Sequence, residues 1–401
     1  MATGDQTRIN IPRESTMQDI AQALQTIAFS QAANLENIST WDQLSGLVRN
    51  GYAQKILDFG DQINEKWTDT VASKEYDYPW HVNHFENVEL EDGEVVPGMF
   101  LQAHYAHLFG VQFSQARAFL NCPDGLTAGT YNVTFGATWG EKDAKKDTTW
   151  QFTLTQDVPA KGCLAGFIQM PDLAASTWKV ISYAADRITK IETVPVTSGS
   201  EGTALGTMQL NTRNGNLNSM QETGYGWNRW KTSALRQYLN SEQPKGKWWT
   251  PQDDWDVAPD QLATKDGFLC GLPADMIKAL KRVKVTTYTN TVQDGGTVDV
   301  TYDRVFLPSL EEMFINPQIA GEGTTHEYWQ RRSDMKTKMQ QYQTYPRIIT
   351  YAVENHTSPQ IVRLRSACRG NACRAWYVGS TGGVYYSNAW NANRFSPLVV
   401  I

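Results

Sequence analysis

The chain has 401 residues, of which 41% are hydrophobic, and its 36 basic and 42 acidic side chains give a net charge of −6. This length suits two or three globular domains with apolar cores of their own. No cluster of lysines and arginines indicates nucleic-acid binding, and no apolar run is long enough to span a bilayer. The first residues lack the layout of a signal peptide, so we expect synthesis in a cytoplasm.

The N-terminal part of the chain, residues 1–55, predicts a helical hairpin. A first amphipathic helix is predicted over residues 15–30 because apolar side chains recur there at helical spacing. A second helix begins at Thr40, which forms a capping-box pattern with Gln43, and it ends at Asn50-Gly51. We expect this hairpin either to pack on the following domain or to attach the protein to a larger assembly.

The next part, residues 56–200, predicts an antiparallel β domain. Apolar and polar residues alternate at 130–135, 150–155 and 178–183, and Asp92-Gly93 forms the turn of a hairpin. Short strands with frequent turns favour a sandwich or a barrel. The small, polar and glycine-rich residues 197–202 predict a linker.

The third part, residues 201–401, mixes helices and short strands. One helix opens near Thr232 or Ser233, another follows Pro273, and Ser309 caps a helical turn with Glu312. A hairpin is predicted around residues 294–296, and further strands are predicted at 348–353 and 360–364. The apolar run 397–401 predicts a buried final strand.

The residues that could carry catalysis or bind a metal form no convincing set. There is no nucleophile elbow, phosphate loop or dinucleotide fingerprint. His81 and His84, like His104 and His107, are three residues apart in β-type sequence, where such positions point to opposite faces. Adjacent acidic residues at 253–254 and 311–312 point in different directions, and the loop 253–256 lacks the spaced ligands of a calcium site. We therefore predict no metal site and no cofactor.

The five cysteines are an odd and scattered set, which does not indicate a disulfide framework. Cys368 and Cys373 form the one close pair, and they are either free thiols or a pair that closes a loop. The remaining cysteines are Cys122, Cys163 and Cys270.

The C-terminal stretch 362–401 differs from the rest of the chain because tyrosines and tryptophans alternate there with Ser, Gly and Asn, without an acidic residue or a lysine. Tyr and Trp provide large contact areas at low rotamer cost, and Ser, Gly and Asn adapt their hydrogen bonds to many partners. This composition is typical of a binding surface. The alternative is a terminal pair of strands with aromatic core residues.

Within this stretch the chain resembles the variable proteins of diversity-generating retroelements, which occur in phages and prophages. The resemblance covers roughly Met208 to Ile401, and more loosely the N-terminal half. It rests on Arg363-Leu-Arg-Ser-Ala367, Ala375-Trp-Tyr-Val378, Gly382-Gly-Val384, Asn388-Ala389, Arg394, Pro397 and Val400-Ile401. In that family a reverse transcriptase miscopies template adenines, and the altered copy replaces the 3′ end of the gene.

The resemblance implies an α+β protein with a C-terminal C-type lectin-like domain, in the branch shared with formylglycine-generating enzymes. An antiparallel β sandwich or barrel domain and an N-terminal helical hairpin would precede it. The variable region would cover about 369–396, with ligand-binding residues Asn371, Cys373, Arg374, Tyr377, Ser380, Tyr385, Tyr386, Asn388, Trp390, Asn391, Asn393, Phe395 and Ser396. The framework between them would be Trp376, Val378, Val384, Ala389, Arg394 and Pro397.

The function implied is recognition of a protein or glycan on a bacterial surface by a virion-associated, adhesin-type protein. Self-association or contact with other virion proteins would add avidity, and no nucleic acid or membrane insertion is expected. One alternative is a fixed structural component of a virion, such as a decoration or tail protein. A formylglycine-generating-type enzyme would need Cys368 and Cys373, and a diversified position 373 is incompatible with a fixed catalytic thiol, so we expect no enzyme.

Overall fold

The computed structural model describes residues 40–115, 225–252, 256–292 and 294–401, together with short strands between 120 and 205. The described part is a mixed α and β structure with mostly antiparallel sheets. The helix predicted at 15–30, the linker predicted at 197–202 and the acidic pair at 253–254 lie outside the described residues. Within the described ranges, no helix has the length and apolar character needed to cross a membrane.

The helices and the strands are each numbered along the chain. The helices are α1 (Trp41–Arg49), α2 (Ala53–Ile56), α3 (Ala234–Leu239), α4 (Ala274–Ala279) and α5 (Glu327–Ser333). Short 3₁₀ turns occupy Trp230–Thr232, Asp260–Ala263, Phe268–Gly271 and Pro346–Ile348. The first strands are β1 (Gln62–Ile63), β2 (Lys66–Asp69), β3 (Lys74–Asp77), β4 (Trp80–Glu89) and β5 (Val95–Ala103).

The later strands fall into two groups. Those of the middle region are β6 (Leu120–Cys122), β7 (Gly129–Phe135), β8 (Thr149–Leu154), β9 (Gly162–Leu164), β10 (Phe167–Ile168), β11 (Lys179–Val180), β12 (Ile188–Thr193) and β13 (Ala204–Leu205). Those of the C-terminal region are β14 (Val283–Tyr288), β15 (Val298–Asp303), β16 (Val305–Phe306), β17 (Thr350–Tyr351), β18 (Pro359–Gln360), β19 (Val362–Ala367), β20 (Arg374–Val378), β21 (Val384–Asn388) and β22 (Leu398–Val400).

The central sheet joins strands from distant parts of the chain in the order β1-β4-β5-β22-β16. β4 and β5 form the predicted hairpin, and Gly93 turns it with a φ of +87°. β22 lies between β5 and β16, with Val399 opposite Leu101 on one side and Val305 on the other. All three of its residues are buried, so the predicted final strand is confirmed.

This sheet changes the domain division that the sequence suggested. The predicted β domain at 56–200 includes residues 62–103, yet β1, β4 and β5 share a sheet with β22 and β16. Their side chains belong to the same core, in which Trp80, Val82 and Leu101 pack with Leu398 and its neighbours. Alternation in a sequence reveals a strand but does not reveal its partner, which explains the difference.

The strands of the middle region pair among themselves. They form three small antiparallel sheets, β6-β9, β12-β7-β8 and β11-β10-β13. None of the sheets in the described part of the chain closes into a barrel, because each has two distinct edge strands.

The local signals for helices are confirmed. The Thr40 hydroxyl accepts a hydrogen bond from the Gln43 amide at 3.2 Å, and the buried face of α1 includes Leu44 and Leu47. Ser233 caps α3 in the same way, and α4 follows Pro273. The strand predicted over 348–353 is wrong in its extent, because a 3₁₀ turn ends at Ile348 and β17 covers only two residues.

A second apolar core lies against the three-stranded sheet β19-β20-β21. Trp376, Val378 and Val384 contribute to it from the sheet, and Trp329 and Met339 contribute from the helix α5 and a loop. One face of the sheet is therefore anchored by burial of aromatic and branched side chains.

Several histidines are buried without a charge partner. Burial lowers the pKa of His81, His107 and His326 well below the usual value, and it lowers the pKa of His104 to about 4. His84 differs: burial alone would lower its pKa, but hydrogen bonds to Glu86 and Glu327 raise it. No three His, Cys, Asp or Glu residues in the described ranges converge as a metal site.

These buried histidines predict loss of stability in mild acid. Their folded pKa is depressed, so below pH ~6.5 the unfolded chain binds protons that the folded chain does not, and stability is lost as pH falls. Each histidine kept neutral in the fold should reduce the free energy of unfolding by about 1.4 kcal/mol per pH unit. Urea denaturation between about pH 7.5 and about pH 5 measures this slope.

The variant His104→Gln should make the slope of stability against pH shallower below pH ~6.5. In the unfolded chain this histidine binds a proton there, whereas in the fold its pKa is about 4. Stability that stays constant or rises on acidification would contradict the assignment of neutral buried histidines.

Candidate recognition surface

The three-stranded sheet β19-β20-β21 carries much of the stretch that the sequence singles out. In the β20–β21 pair, Trp376 lies opposite Tyr386 and Tyr377 lies opposite Tyr385. Side chains at neighbouring positions point to opposite faces, so Trp376 enters the core while Tyr377 does not. The outer edge of β21 is also paired, because Val384 exchanges backbone hydrogen bonds with residues 342–343 at 2.8 and 2.9 Å.

The exposed aromatic side chains of this region are arranged around β21. Tyr385 is 39% exposed, and Tyr342, which lies beside it on the edge segment, is 54% exposed. The ring centroids of Tyr342 are 6.3 Å from Tyr385 and 6.0 Å from Tyr386, and Tyr377 is 6.5 Å from Tyr385. Tyr342 therefore joins rings that project from both faces of the sheet.

A second group of side chains continues this surface beyond the end of β21. Arg374 places its guanidinium 5.0 Å from the ring centroid of Tyr386. Burial raises the pKa of Tyr225. The nearby charge of Arg374 lowers the same pKa, by a smaller amount. Trp390 is 41% exposed, and its ring is 5.9 Å from that of Tyr225. We call the whole row the aromatic stripe: Trp390, Tyr225, Arg374, Tyr386, Tyr342 and Tyr385.

A buried arginine fixes the backbone from which the stripe projects. The Arg363 side chain is 1% exposed and donates four hydrogen bonds, all to main-chain carbonyls. Nη1 bonds to Ala375 and Ser387 at 2.9 and 3.0 Å, and Nη2 bonds to Asn388 and Asn391 at 2.8 and 3.2 Å. Because only carbonyl oxygens are used, these bonds do not depend on which side chains occupy positions 387, 388 and 391.

A buried asparagine has the same role at the start of the stretch. Asn228 is fully buried, and its Nδ2 donates to the carbonyls of Asn371 and Arg374 at 2.7 Å each. Its Oδ1 accepts from Asn290 at 3.0 Å, which sets the orientation of the amide. Backbone bonds complete the attachment, since the amide of Trp390 donates to the carbonyl of Tyr225 at 2.9 Å.

The ion pair beneath the sheet ties β19 to the turn predicted at Ser309. Arg365 donates to Glu312 Oε1 at 2.7 Å, and both side chains are buried. Glu312 and Ser309 also form the predicted capping bonds in both directions, at 2.9 and 3.1 Å. Glu312 is thus a structural residue with a paired charge.

The predicted ligand-binding residues divide by exposure. Tyr385, Trp390 and Asn391 are exposed. The half-buried group comprises Asn371, Arg374, Tyr377, Ser380, Tyr386, Asn388 and Asn393. The remaining three, Cys373, Phe395 and Ser396, are buried at 2%, 0% and 1% exposure.

The structure corrects the assignment of the three buried residues. Phe395 stacks on His107 with ring centroids 4.8 Å apart, deep in the main core. Ser396 donates a hydrogen bond to the Ala103 carbonyl at 2.6 Å, so it belongs to the central sheet. Cys373 lies under its loop and contacts Asn371. A composition rich in Ser and aromatic residues does not show in which direction a given side chain points.

The predicted framework residues are buried, as expected, with one difference. Trp376, Val378, Val384, Ala389 and Pro397 are buried. Arg394 is half-buried, and its guanidinium forms a two-point ion pair with Glu354 at 2.7 and 2.8 Å.

Two members of the aromatic stripe were missed by the sequence analysis. Tyr342 belongs to the run Gln340–Tyr345, which combines tyrosines with side-chain amides, as the C-terminal stretch does with Tyr and Asn. Tyr225 lies next to Gly226, whose φ of +85° and close approach to the Ser114 carbonyl exclude a side chain. Aromatic and amide-rich composition could have identified Tyr342, whereas Tyr225 has no comparable signal.

The two cysteines of this region have the surroundings of structural thiols. Cys368 and Cys373 are both buried, and neither forms a disulfide. Burial raises the pKa of Cys368, which disfavours the thiolate that a nucleophile needs.

Comparison with known proteins adds one match. A family model described as "Domain of unknown function (DUF6273)" matches residues 204–398. No curated protein and no solved structure matches the chain. The matched range includes the aromatic stripe and both clamping residues, Asn228 and Arg363, but it excludes β4 and β5 of the central sheet.

Replacement of the clamping arginine should destabilise the fold. In Arg363→Met, one buried and three partly buried carbonyls lose their donor, and we expect a loss of about 3 kcal/mol or more in the free energy of unfolding. The control Arg347→Met removes an exposed arginine that pairs with Asp334, and it should cost less than about 0.5 kcal/mol. Chemical denaturation compares the two, and equal losses would contradict the proposed anchoring.

Substitutions of exposed and of buried residues among the predicted ligand-binding residues should have different effects on stability. We expect Tyr385→Ser and Trp390→Ser to change the free energy of unfolding by less than about 1 kcal/mol, because both side chains lie at the surface outside the apolar cores. Phe395→Ser should cost about 3 kcal/mol or more, because it leaves a cavity and a buried hydroxyl in the main core. Thermal and urea unfolding of the three variants measure these changes. A similar loss of stability in all three would show that Tyr385 and Trp390 are structural residues like Phe395.

Proposed function

We propose that the chain is a ligand-recognition protein whose C-terminal region displays a replaceable binding surface, in the manner of the variable proteins that it resembles. The aromatic stripe would be the centre of that surface. The ligand would be a protein or glycan on a bacterial surface, and the protein would be encoded by a phage or prophage and carried on a virion.

The observation that supports this proposal most directly is the way the C-terminal stretch is held. Arg363 and Asn228 contact carbonyl oxygens of residues 371, 374, 375, 387, 388 and 391. Side chains at most of these positions lie at the surface or half-buried. A loop held through its main chain keeps its shape while its side chains change, which is what a diversified surface requires.

The fold offers further support. The last strand, β22, pairs with β5 near the start of the described chain. This arrangement is compatible with a C-type lectin-like domain, in which the final strand returns to pair near the beginning. Within the described residues, the aromatic stripe combines Tyr and Trp with Arg, the side chains most often found at energetic centres of interfaces.

The gene itself provides the test. Sequencing the 3′ end in sister isolates should show substitutions confined to codons for exposed or half-buried residues, such as Tyr385, Trp390 and Asn391. Codons for Arg363, Phe395 and Ser396 should stay constant, since their side chains hold the frame. An adjacent reverse-transcriptase gene with a near-duplicate 3′ repeat is expected.

An unchanging 3′ end across isolates would overturn diversification and would favour the fixed structural virion component instead. Substitutions spread evenly over surface and core codons would also contradict the proposal.

A further inference from the structure

The charges around the aromatic stripe are unbalanced. Residues 355–401 contain five arginines but no acidic side chain and no lysine. Arg365 and Arg394 form ion pairs with Glu312 and Glu354. In the described part of the chain, no carboxylate pairs with Arg363, Arg369 or Arg374.

Two of the three unpaired arginines have their hydrogen bonds satisfied within the protein. Arg363 is buried against four carbonyls, and Arg369 donates to the Thr289 carbonyl at 3.1 Å beside the ring of Tyr288. Neither positive charge is neutralised by a carboxylate among the described residues, and solvent ions screen a buried charge poorly. The C-terminal stretch therefore carries three arginines without a carboxylate partner among the described residues, although the protein as a whole carries a net charge of −6.

Arg374 differs because it is half-buried within the stripe itself. The guanidinium carbon of Arg374 lies 5.0 Å from the ring centroid of Tyr386, and among the described residues none accepts a hydrogen bond from its side chain. The planar guanidinium carries five N–H donors, which can bind a carboxylate at two points.

We propose that the ligand is a saccharide that carries carboxylate groups, and that Arg374 binds the carboxylate while neighbouring rings of the stripe stack on the sugar. This inference rests on the proposed function and specifies its ligand. The exposed ring of Trp390 provides a stacking surface at the end of the stripe where Tyr225 lies. The amides of Asn388 and Asn391 lie in the same stretch and can exchange hydrogen bonds with sugar hydroxyls.

The geometry favours an acidic sugar over an acidic peptide segment. A carboxylated pyranose presents its carboxylate and a flat ring within one residue, so it satisfies Arg374 and an adjacent aromatic ring together. An aspartate or glutamate side chain satisfies the arginine alone and leaves the exposed rings without a partner.

Binding of the full chain to four polymers of similar length tests the proposal at about 0.15 M salt, where weak surface attraction is screened. These are polygalacturonate, its methyl ester, polyglutamate and dextran. We expect polygalacturonate to bind about tenfold or more tightly than the methyl ester, because esterification removes the charge that Arg374 recognises. Polyglutamate and dextran should bind at least as weakly as the ester.

Two substitutions at position 374 test whether Arg374 causes the preference for polygalacturonate over its methyl ester. Arg374→Gln should lower the affinity for polygalacturonate to that for the ester, and Arg374→Lys should restore part of it, since the charge remains without the two-point geometry. The control Lys74→Gln removes another cation that stacks on a tyrosine, Tyr76 at 4.8 Å, and it should change nothing. Unfolding curves establish that each variant is folded.

The contrary outcomes are distinct. Equal binding of polyglutamate would replace the saccharide with an acidic protein ligand. Equal binding of the methyl ester, or an unaffected Arg374→Gln variant, would overturn the role of charge. Binding to none of the polymers would overturn the carboxylated saccharide, while the sequence of the gene's 3′ end would still decide the proposed function independently.

Discussion

The contact between Arg363 and four main-chain carbonyls is the interaction on which the C-terminal surface depends. It connects β20, the end of β21 and the loop that follows through one rigid, planar group. Burial lowers the pKa of this arginine to about 9, so the side chain keeps its charge at neutral pH. The cost of burying that charge is offset by four charge-assisted hydrogen bonds, each stronger than a bond between neutral groups. Because the acceptors belong to the backbone, stability and surface chemistry are largely separated in this region.

The sequence predicted local features of the fold well and distant ones poorly. The cap at Thr40, the turn at Gly93 and the buried strand at 398–400 are each encoded within a few neighbouring residues, and each is confirmed. The central sheet is different, because it joins residues such as Gln102 and Ser396 that are 294 positions apart. No pattern within either segment specifies that partner, so residues 62–103 could not be assigned to the correct sheet.

The surface could be predicted only in outline, for a related reason. Composition located the stretch, and the resemblance assigned Trp376 and Val378 to the framework, where both are buried in the second core. The loops have no such periodicity, so Trp390 and Phe395 look equivalent in sequence while one is 41% exposed and the other fully buried. The contribution of Tyr225 and Tyr342 depends on tertiary contacts with Trp390 and Tyr385, which no local pattern records.

The position of β22 has a consequence for how the protein is made. This strand occupies an interior place in the central sheet, between β5 and β16, yet a ribosome reaches it only after the whole aromatic stripe has been translated. The hairpin of β4 and β5 must therefore wait with an unpaired edge during synthesis. Any frameshift or stop codon introduced between residues 369 and 396 would also remove β22, leaving the central sheet without its interior strand. Completion of the central sheet therefore requires that the whole C-terminal stretch be translated in frame.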